Sequence, residues 1–110
     1  MSIPEDEYLL RIFIGEGDRH GHRPLYEAIV LKARESGLKG ATVLRGVMGF
    51  GHHSVLHTAK ILRLSEDLPM VVEIVDRLEK IEQFIPLLDE MVSDALVTLE
   101  RVRVIHYGNG

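Results

Sequence analysis

The chain has 110 residues, enough for one core, and we treat residues 1–110 as a single domain. Hydrophobic residues make up 45% and aromatic residues 5%, so the core must consist mainly of Ile, Leu and Val. The net charge of −4 argues against a nucleic-acid-binding protein, and the absence of Cys excludes disulfides and thiolate metal sites. The acidic N-terminal stretch is unlike a secretory signal, and no apolar run is long enough to span a bilayer. We therefore expect a cytoplasmic protein that does not insert into membranes.

The first half of the sequence predicts a strand, a helix and a second strand. Apolar residues alternate over residues 8–14, which predicts a strand, whereas residues 15–23 (GEGDRHGHR) have the composition of a loop. From Leu25 onward the apolar residues fall on one helical face. Gly37 is placed to end this helix, because glycine enters the left-handed conformation at little cost. Residues 41–50 alternate again and predict the second strand.

The second half begins with the least regular stretch. Residues 51–68 predict an extended excursion with a short strand near 59–64, and residues 69–75 (PMVVEIV) predict a third strand that starts with Pro. Asp76 and Glu79 have the spacing of a capping box before a second helix. Pro86 falls inside that helix and should kink it. Alternation over residues 96–107 predicts the fourth strand.

The order strand, helix, strand, strand, helix, strand predicts a ferredoxin-like α+β fold, βαββαβ, with a four-stranded antiparallel sheet and two helices on one face. We predict that the helix-covered face carries Leu10, Ile12, Leu44, Met48, Val72 and Ile74, and that Phe50 belongs to the same core. The opposite face would carry Leu9, Arg11, Phe13, Val43, Arg45, Val47, Val71, Glu73 and Val75. That face is too apolar to remain in water, so we expect an obligate homo-oligomer with packed sheets.

Charged residues in the middle of these strands need partners. Arg11, Arg45 and Glu73 would have to pair within or near the interface, because an unpaired buried charge is costly. We expect Arg101 and Arg103 to join them from the last strand. In the alternative interpretation these arginines are only structural partners of acidic residues such as Glu73 and Glu100.

Four stretches resemble an uncharacterised PII-like family, the domain-of-unknown-function group numbered one hundred and ninety. They are HRPLYEAIV (22–30), GATVLRGVMGFG (40–51), HTAKILRLSEDLP (57–69) and VVEIVD (71–76). The resemblance covers nearly the whole chain and implies the same fold. Through kinship with PII signalling proteins it also implies a homotrimer with ligand clefts between subunits, in which relatives bind adenine nucleotides. Residues 91–95 (MVSDA) lack the phosphate-holding glycines of PII proteins, and residues 51–68 lack the tyrosine of their uridylylation switch.

The glycines that follow the second strand are candidate ligand contacts. Gly46, Gly49 and Gly51 would let main-chain amides approach a phosphate, while Arg45, Arg101 and Arg103 would supply positive charge. Alternatively, these glycines permit a bulge or a close approach of chains. In the first loop, the candidate contacts are Asp18, His20 and Arg23.

The histidines suggest a second kind of site. His52, His53 and His57 have a spacing that allows imidazoles to share a metal, although no carboxylate or thiolate completes the set in the sequence. We find no nucleophile elbow and no convincing acid pair, so the sequence does not predict an enzyme.

These patterns favour a trimeric regulatory protein without a required cofactor. It would bind a small anionic effector, such as an adenine nucleotide, in clefts between subunits and signal through residues 51–68 to a membrane transporter or an enzyme. One alternative is a metal-binding protein of similar trimeric fold that uses the loop histidines. The other is an interaction module without a ligand.

Overall fold

A computed structural model describes residues 5–50, 57–58 and 67–106. Its elements are β1 (Glu5–Gly15), β2 (Arg19–His20), β3 (Arg23–Pro24), α1 (Leu25–Glu35), β4 (Thr42–Arg45), β5 (Met48–Gly49), β6 (His57–Thr58), β7 (Pro69–Asp76), α2 (Leu78–Met91) and β8 (Leu96–Val104). Strands β1, β4, β7 and β8 form one antiparallel sheet in the order β4-β7-β1-β8. The predicted βαββαβ order and four-stranded sheet are confirmed.

The core lies between the two helices and one face of this sheet. Its members are aliphatic apart from Met70 and Phe84, as the composition predicts, and they are Leu10, Ile12, Ile14, Leu25, Ile29, Ala33, Leu38, Met70, Val72, Ile74, Ile81, Phe84 and Leu88. Pro86 lies at an exposed position inside α2. Neither helix in the described part of the chain has the length and apolar content that crossing a bilayer requires.

Helix α1 follows its sequence pattern closely. It begins at Leu25, directly after Pro24, and its buried residues are Leu25, Ala28, Ile29 and Ala33. At its end, Gly37 has a φ of 81°. The Gly37 amide donates to the Arg34 carbonyl and the Leu38 amide to the Ala33 carbonyl, each at 3.1 Å. This double hydrogen bond is a Schellman motif, so the predicted glycine stop is confirmed.

The predicted capping box at the start of α2 is wrong. The helix begins at Leu78 after Arg77, and no side chain caps it. The Asp76 carboxylate instead accepts hydrogen bonds from the main-chain amides of Lys39 at 2.9 Å and Arg77 at 2.7 Å. It thereby fastens the start of α2 to the segment that enters β4. A hydrogen bond from its own main-chain amide, assisted by Arg77, lowers the pKa of Glu79 below its ordinary value.

The predicted face assignment of β4 is also wrong. Val43 is opposite the buried Val72, and Leu44 is opposite Val71. Directly opposite residues share a face, so Val43 belongs to the helix-covered side and Leu44 to the other. Leu44 is accordingly 48% exposed, while Val43 packs against the core. A one-residue difference in register exchanges the two faces of a strand.

The predicted strand at 41–50 is interrupted. Strand β4 ends at Arg45, and Met48 and Gly49 pair instead with β6. Met48 is 58% exposed and Phe50 is 75% exposed, so neither belongs to the core as predicted. The loop predicted at 15–23 contains the small β2–β3 hairpin, and the last strand ends at residue 104 rather than 107. The strand predicted at 59–64 lies outside the described residues.

The sheet face without helices, which we call the open face, is apolar with a charged centre. Register places on it Leu9, Arg11, Phe13, Thr42, Leu44, Val71, Glu73, Val75, Leu96, Thr98 and Glu100. The Arg11 guanidinium contacts the Glu73 carboxylate at 2.8 Å and the Glu100 carboxylate at 2.5 Å. The hydrogen bond to Glu73 is the main reason that the pKa of Arg11 is raised. Arg11 is therefore a structural partner of Glu73 and Glu100, as the alternative interpretation of the sequence proposed.

The helical layer does not extend over β8. Val97 is opposite the buried Ile12 and Leu99 is opposite the buried Leu10, yet Val97 and Leu99 are 38% and 48% exposed. Strand β8 is thus an edge strand with uncovered apolar side chains on both faces.

We expect Gly37→Ala to lower the free energy of unfolding by about 1–2 kcal/mol, because an L side chain is disfavoured at positive φ. Gly40→Ala is the matched control, since Gly40 has no positive φ and open space where a Cβ would be placed. This control should leave stability unchanged or raise it by about 0.4–1 kcal/mol. Urea denaturation measures both, and equal effects of the two substitutions would contradict the role of the φ at Gly37.

Candidate functional site

A cleft of about 980 Å³ lies at the end of the sheet where β1 finishes and β7 starts. Five separate segments form its walls: the end of β1 and the following loop, the start of α1, the β4–β5 turn with β5, the start of β7, and the α2–β8 connection. Most of the side chains that line it are apolar, among them Phe13, Leu25, Met48, Phe50 and Met70. Such a concave, largely apolar cleft at the meeting point of loops is typical of small-molecule sites.

Gly46 and Gly49 lie on the wall of this cleft, as candidate site residues should. Both positions lack a side chain for a structural reason. A Cβ on Gly46 would lie 2.8 Å from the Pro69 ring, and a Cβ on Gly49 would lie 3.1 Å from it. The Gly46 amide already donates to the Pro69 carbonyl at 2.7 Å. Close packing against Pro69 therefore explains both glycines, which favours the structural interpretation. Gly51 lies outside the described residues.

The loop after β1 is held at the base of the cleft by carboxylates. The Gly15 amide donates to the Asp18 carboxylate at 3.0 Å, and the Gly17 amide donates to the Asp67 carboxylate at 2.9 Å. Between them, the Glu16 amide donates to the Leu68 carbonyl at 2.7 Å. A Cβ on Gly15 would lie 2.5 Å from the Asp67 carboxylate, so this contact requires glycine at position 15. The segment that ends at Asp67 is thus attached to the first loop.

The charge of the described cleft wall does not favour a phosphate by itself. Asp18, Asp67 and Asp94 line the cleft together with a single cationic side chain, that of Arg19. Arg45 lies nearby at the end of β4, but its guanidinium is paired with the Glu16 carboxylate. An anionic ligand would therefore need positive charge from outside this wall.

Arg101 and Arg103 lie at the opposite end of the sheet. Arg101 is opposite Tyr8, whereas Arg45 lies in register, through Met70, with Ile14. Six residues of strand separate the two ends, a distance of about 20 Å. Within one chain, Arg45 is therefore not brought together with Arg101 and Arg103, the other two candidate ligand-binding arginines.

The three candidate ligand contacts in the first loop do not lie in one cavity. Asp18 lines the cleft, whereas His20 and Arg23 line a different cavity of about 480 Å³ beside α1. Met91 borders both cavities. The β2–β3 hairpin accounts for this separation, because Arg19 at its start lines the cleft whereas His20, His22 and Arg23 line the cavity beside α1.

The metal hypothesis rests largely on residues outside the structure. His52 and His53 lie outside the described residues, and His57 is described only as part of the backbone of β6. Within residues 5–50, 57–58 and 67–106, no three imidazole or carboxylate groups come together in a way that would hold a metal ion.

Sequence reasoning missed several cleft residues. Met48 and Phe50 were predicted to lie in the core, and the α2–β8 connection was considered only for the glycines that it lacks. Asp67 was considered only as part of the excursion at 51–68, although its carboxylate binds the first loop. An acid two residues before a Pro-led strand was the one available signal, and it became informative only once residues 17 and 67 were seen together.

The chain matches the DUF190 family model, described as "Uncharacterized ACR", over residues 7–104. A UPF0166 protein of Aquifex aeolicus (strain VF5) is 41% identical over 100 residues, which cover 89% of this chain and 92% of that protein. A UPF0166 protein of Methanocaldococcus jannaschii is 35% identical over 86 residues, covering 78% of this chain and 79% of that protein.

Solved structures of PII-like proteins have the same fold. CPII, a nitrogen regulatory PII-like protein from Thiomonas intermedia K12 bound to ADP, AMP and bicarbonate, superimposes with a TM-score of 0.63 at 17% identity and covers 93% of this chain and 91% of its own. A putative PII-like signaling protein from Thermus thermophilus gives a TM-score of 0.67 at 17% identity, with coverage of 93% and 92%. The structural similarity establishes the fold.

We expect Asp67→Ala to detach the first loop from the segment before β7. Loss of the acceptor should speed hydrogen exchange of the Gly17 amide by about tenfold, the scale of one lost hydrogen bond. NMR-detected exchange measures this, with Asp89→Ala on the exposed side of α2 as the control. An unchanged Gly17 exchange rate in Asp67→Ala would show that this contact does not hold the loop.

Proposed function

The chain belongs to the DUF190 family and has the PII-like fold, and from this premise we propose that it is a PII-like regulatory protein that binds an adenine nucleotide in clefts between subunits. The observation that carries the proposal is the 980 Å³ cleft at the sheet end, in a fold in which CPII holds ADP and AMP. The protein would act as a homotrimer and would pass the presence of the ligand to a partner. We propose no catalytic step.

The apolar wall of the cleft suits the base of the nucleotide. Phe13, Met48 and Phe50 offer large apolar surfaces, and Phe50 is 75% exposed in the single chain. A planar base that covered such side chains would gain from apolar burial and from contact with the aromatic ring. Gly46 and Gly49 keep the cleft open beside Pro69.

Arg101 and Arg103 would supply the positive charge that the cleft wall lacks. Both are about 70% exposed, at 68% and 73%, and each lies at 3.8–3.9 Å from the same Asp6 carboxylate. Such loose, exposed pairs contribute little, so both guanidiniums are available to a phosphate. Because these residues lie about 20 Å from the cleft of their own chain, we propose that they reach the cleft of a neighbouring subunit.

The open face supplies the surface for assembly. Phe13, Leu44 and Leu96 are exposed on it, at 37%, 48% and 62%. The charged centre is already paired as Arg11 with Glu73 and Glu100, so burying this face would not leave a lone arginine. We therefore propose that three open faces pack together.

Ligand binding would be transmitted through the attachment of the first loop to the excursion. The excursion at 51–68 begins beside Phe50 on the cleft wall and ends at Asp67 and Leu68, which bind the loop after β1. A ligand in the cleft would therefore lie beside Phe50, which precedes the excursion, and beside Asp67 near its end. We propose that it changes the order of this segment, which a membrane transporter or an enzyme would then recognise.

Calorimetry with ATP, ADP and AMP on the purified oligomer tests the nucleotide proposal. We expect heat of binding with at least one of them, and we expect Arg101→Gln/Arg103→Gln to weaken it by about tenfold or more, because two charged contacts to phosphate are lost. Arg34→Gln, an exposed arginine in the last turn of α1, should leave affinity unchanged. No heat with any of the three nucleotides would remove the proposal, and an equal effect of Arg34→Gln would point to general electrostatics.

The assembly proposal has its own test in Phe13→Glu. A carboxylate on the open face should dissociate the trimer, because burying an unpaired charge costs more than the apolar contact provides. Leu31→Glu is the matched control, since Leu31 on α1 is 38% exposed and Phe13 is 37% exposed. Light scattering coupled to size exclusion measures the mass, and a trimeric Phe13→Glu would refute packing through this face.

A further inference from the structure

The cavity beside α1 has a separate character from the nucleotide cleft. Its walls are the β2–β3 hairpin, one side of α1 and the end of α2 at Met91, and its volume is about 480 Å³. Residues His20, His22, Arg23, Lys32 and Glu35 supply its polar groups, and Ala28, Leu31 and Met91 supply its apolar floor. Four of the five polar groups are cationic or become cationic on protonation, in a chain whose net charge is −4. Local positive charge on an acidic protein points to an anionic ligand.

The hairpin places two of these cationic groups directly opposite each other. His20 and Arg23 are register partners across the two-residue turn, so their side chains share one face about 5 Å apart. Donor groups on both side chains can therefore contact one anion that lies between them. The turn itself is fixed, because Gly21 has a φ of 64° and the Arg19 guanidinium donates to the His22 carbonyl at 3.0 Å.

The cationic groups have weak partners or none among the described residues. Arg23 lies 3.6 Å from the Glu27 carboxylate, and Lys32 lies 3.6 Å from the Glu35 carboxylate. The first pair is exposed and joins the hairpin to the start of α1, and the second lies within one turn of α1; pairs of this kind contribute little to stability. In the described part of the chain the His20 and His22 imidazoles make neither a hydrogen bond nor an ion pair. All four groups can therefore turn toward a ligand without a large loss.

We propose that this cavity is a second binding site, specific for a tetrahedral oxyanion such as phosphate or a small phosphate monoester. Arg23 and Lys32 provide fixed positive charge from opposite walls, and the two imidazoles add charge and hydrogen-bond donors when protonated. The floor of Leu31 and Met91 would accept the apolar part of a monoester. The site is separate from the adenine cleft and does not depend on it.

The two imidazoles would hold an anion more strongly in their protonated form than in their neutral form, so we expect the site to bind more tightly at lower pH. The charged groups around them are Arg19 and Arg23 on the hairpin and Lys32, Glu35 and Glu27 on α1, while Met91 from α2 is uncharged.

Sulfate is the appropriate probe, because phosphate itself titrates with a second pKa of about 6. Sulfate binding is followed on the full-length protein by NMR shifts of the His20 and His22 side chains, at about pH 6 and about pH 8 and at matched ionic strength. We expect the dissociation constant to be about tenfold lower at the acidic pH, the effect of one charge-assisted contact. Absence of binding, or binding that ignores pH, overturns the proposal.

Variants distinguish this cavity from other cationic surfaces. His20→Gln/Arg23→Gln and, on the other wall, Lys32→Gln should each weaken sulfate binding by about tenfold. His106→Gln, an exposed histidine just beyond β8, should leave it unchanged. Thermal unfolding midpoints check that each variant is folded. If the His20→Gln/Arg23→Gln variant does not fold, the Lys32→Gln variant alone tests the site. Sulfate binding that survives both sets of substitutions contradicts the assignment, whatever the outcome with nucleotides.

Discussion

Two helices can cover at most one face of a four-stranded sheet, and this limit on coverage determines which surfaces of the molecule remain exposed. The covered face contains the aliphatic core of β1 and β7. The open face keeps Phe13, Leu44 and Leu96 exposed around a paired arginine, and β8 lies beyond the helical layer altogether. A single chain therefore has a closed apolar core, but it also leaves a large apolar surface exposed to water. Our proposals of trimeric packing and of arginines supplied by a neighbour both follow from this imbalance.

The parts of the fold that sequence predicted well are those in which local chemistry decides. Helix α1 has a one-sided apolar pattern and a glycine that the Schellman motif requires, so its buried face and its end were correct. Strand β4 was assigned to the wrong faces because Val43 and Leu44 are both apolar, and such a strand carries little register information. Its register depends on contacts distant in sequence, such as the Lys39 amide on the Asp76 carboxylate.

The candidate site was predicted less completely for a related reason. Gly46 and Gly49 line the cleft, yet the reason that both are glycine is the Pro69 ring, which is 20 or more positions away in the sequence. His20 and Asp18 are separated by one residue but line different cavities, because a two-residue hairpin begins between them. Loop composition does not reveal such a turn of direction. The resemblance to a family identified the fold, but it did not determine which side chains meet.

Strand β8 illustrates how one set of charges serves a second purpose. An exposed edge strand of nine residues with apolar side chains on both faces is a template on which unrelated strands can pair. Glu100, Arg101 and Arg103 interrupt its apolar sequence and so oppose uncontrolled strand addition before subunits meet. The residues that we assign to ligand binding would then also protect newly made chains from aggregation. Selection on solubility and selection on ligand affinity would act on the same two arginines.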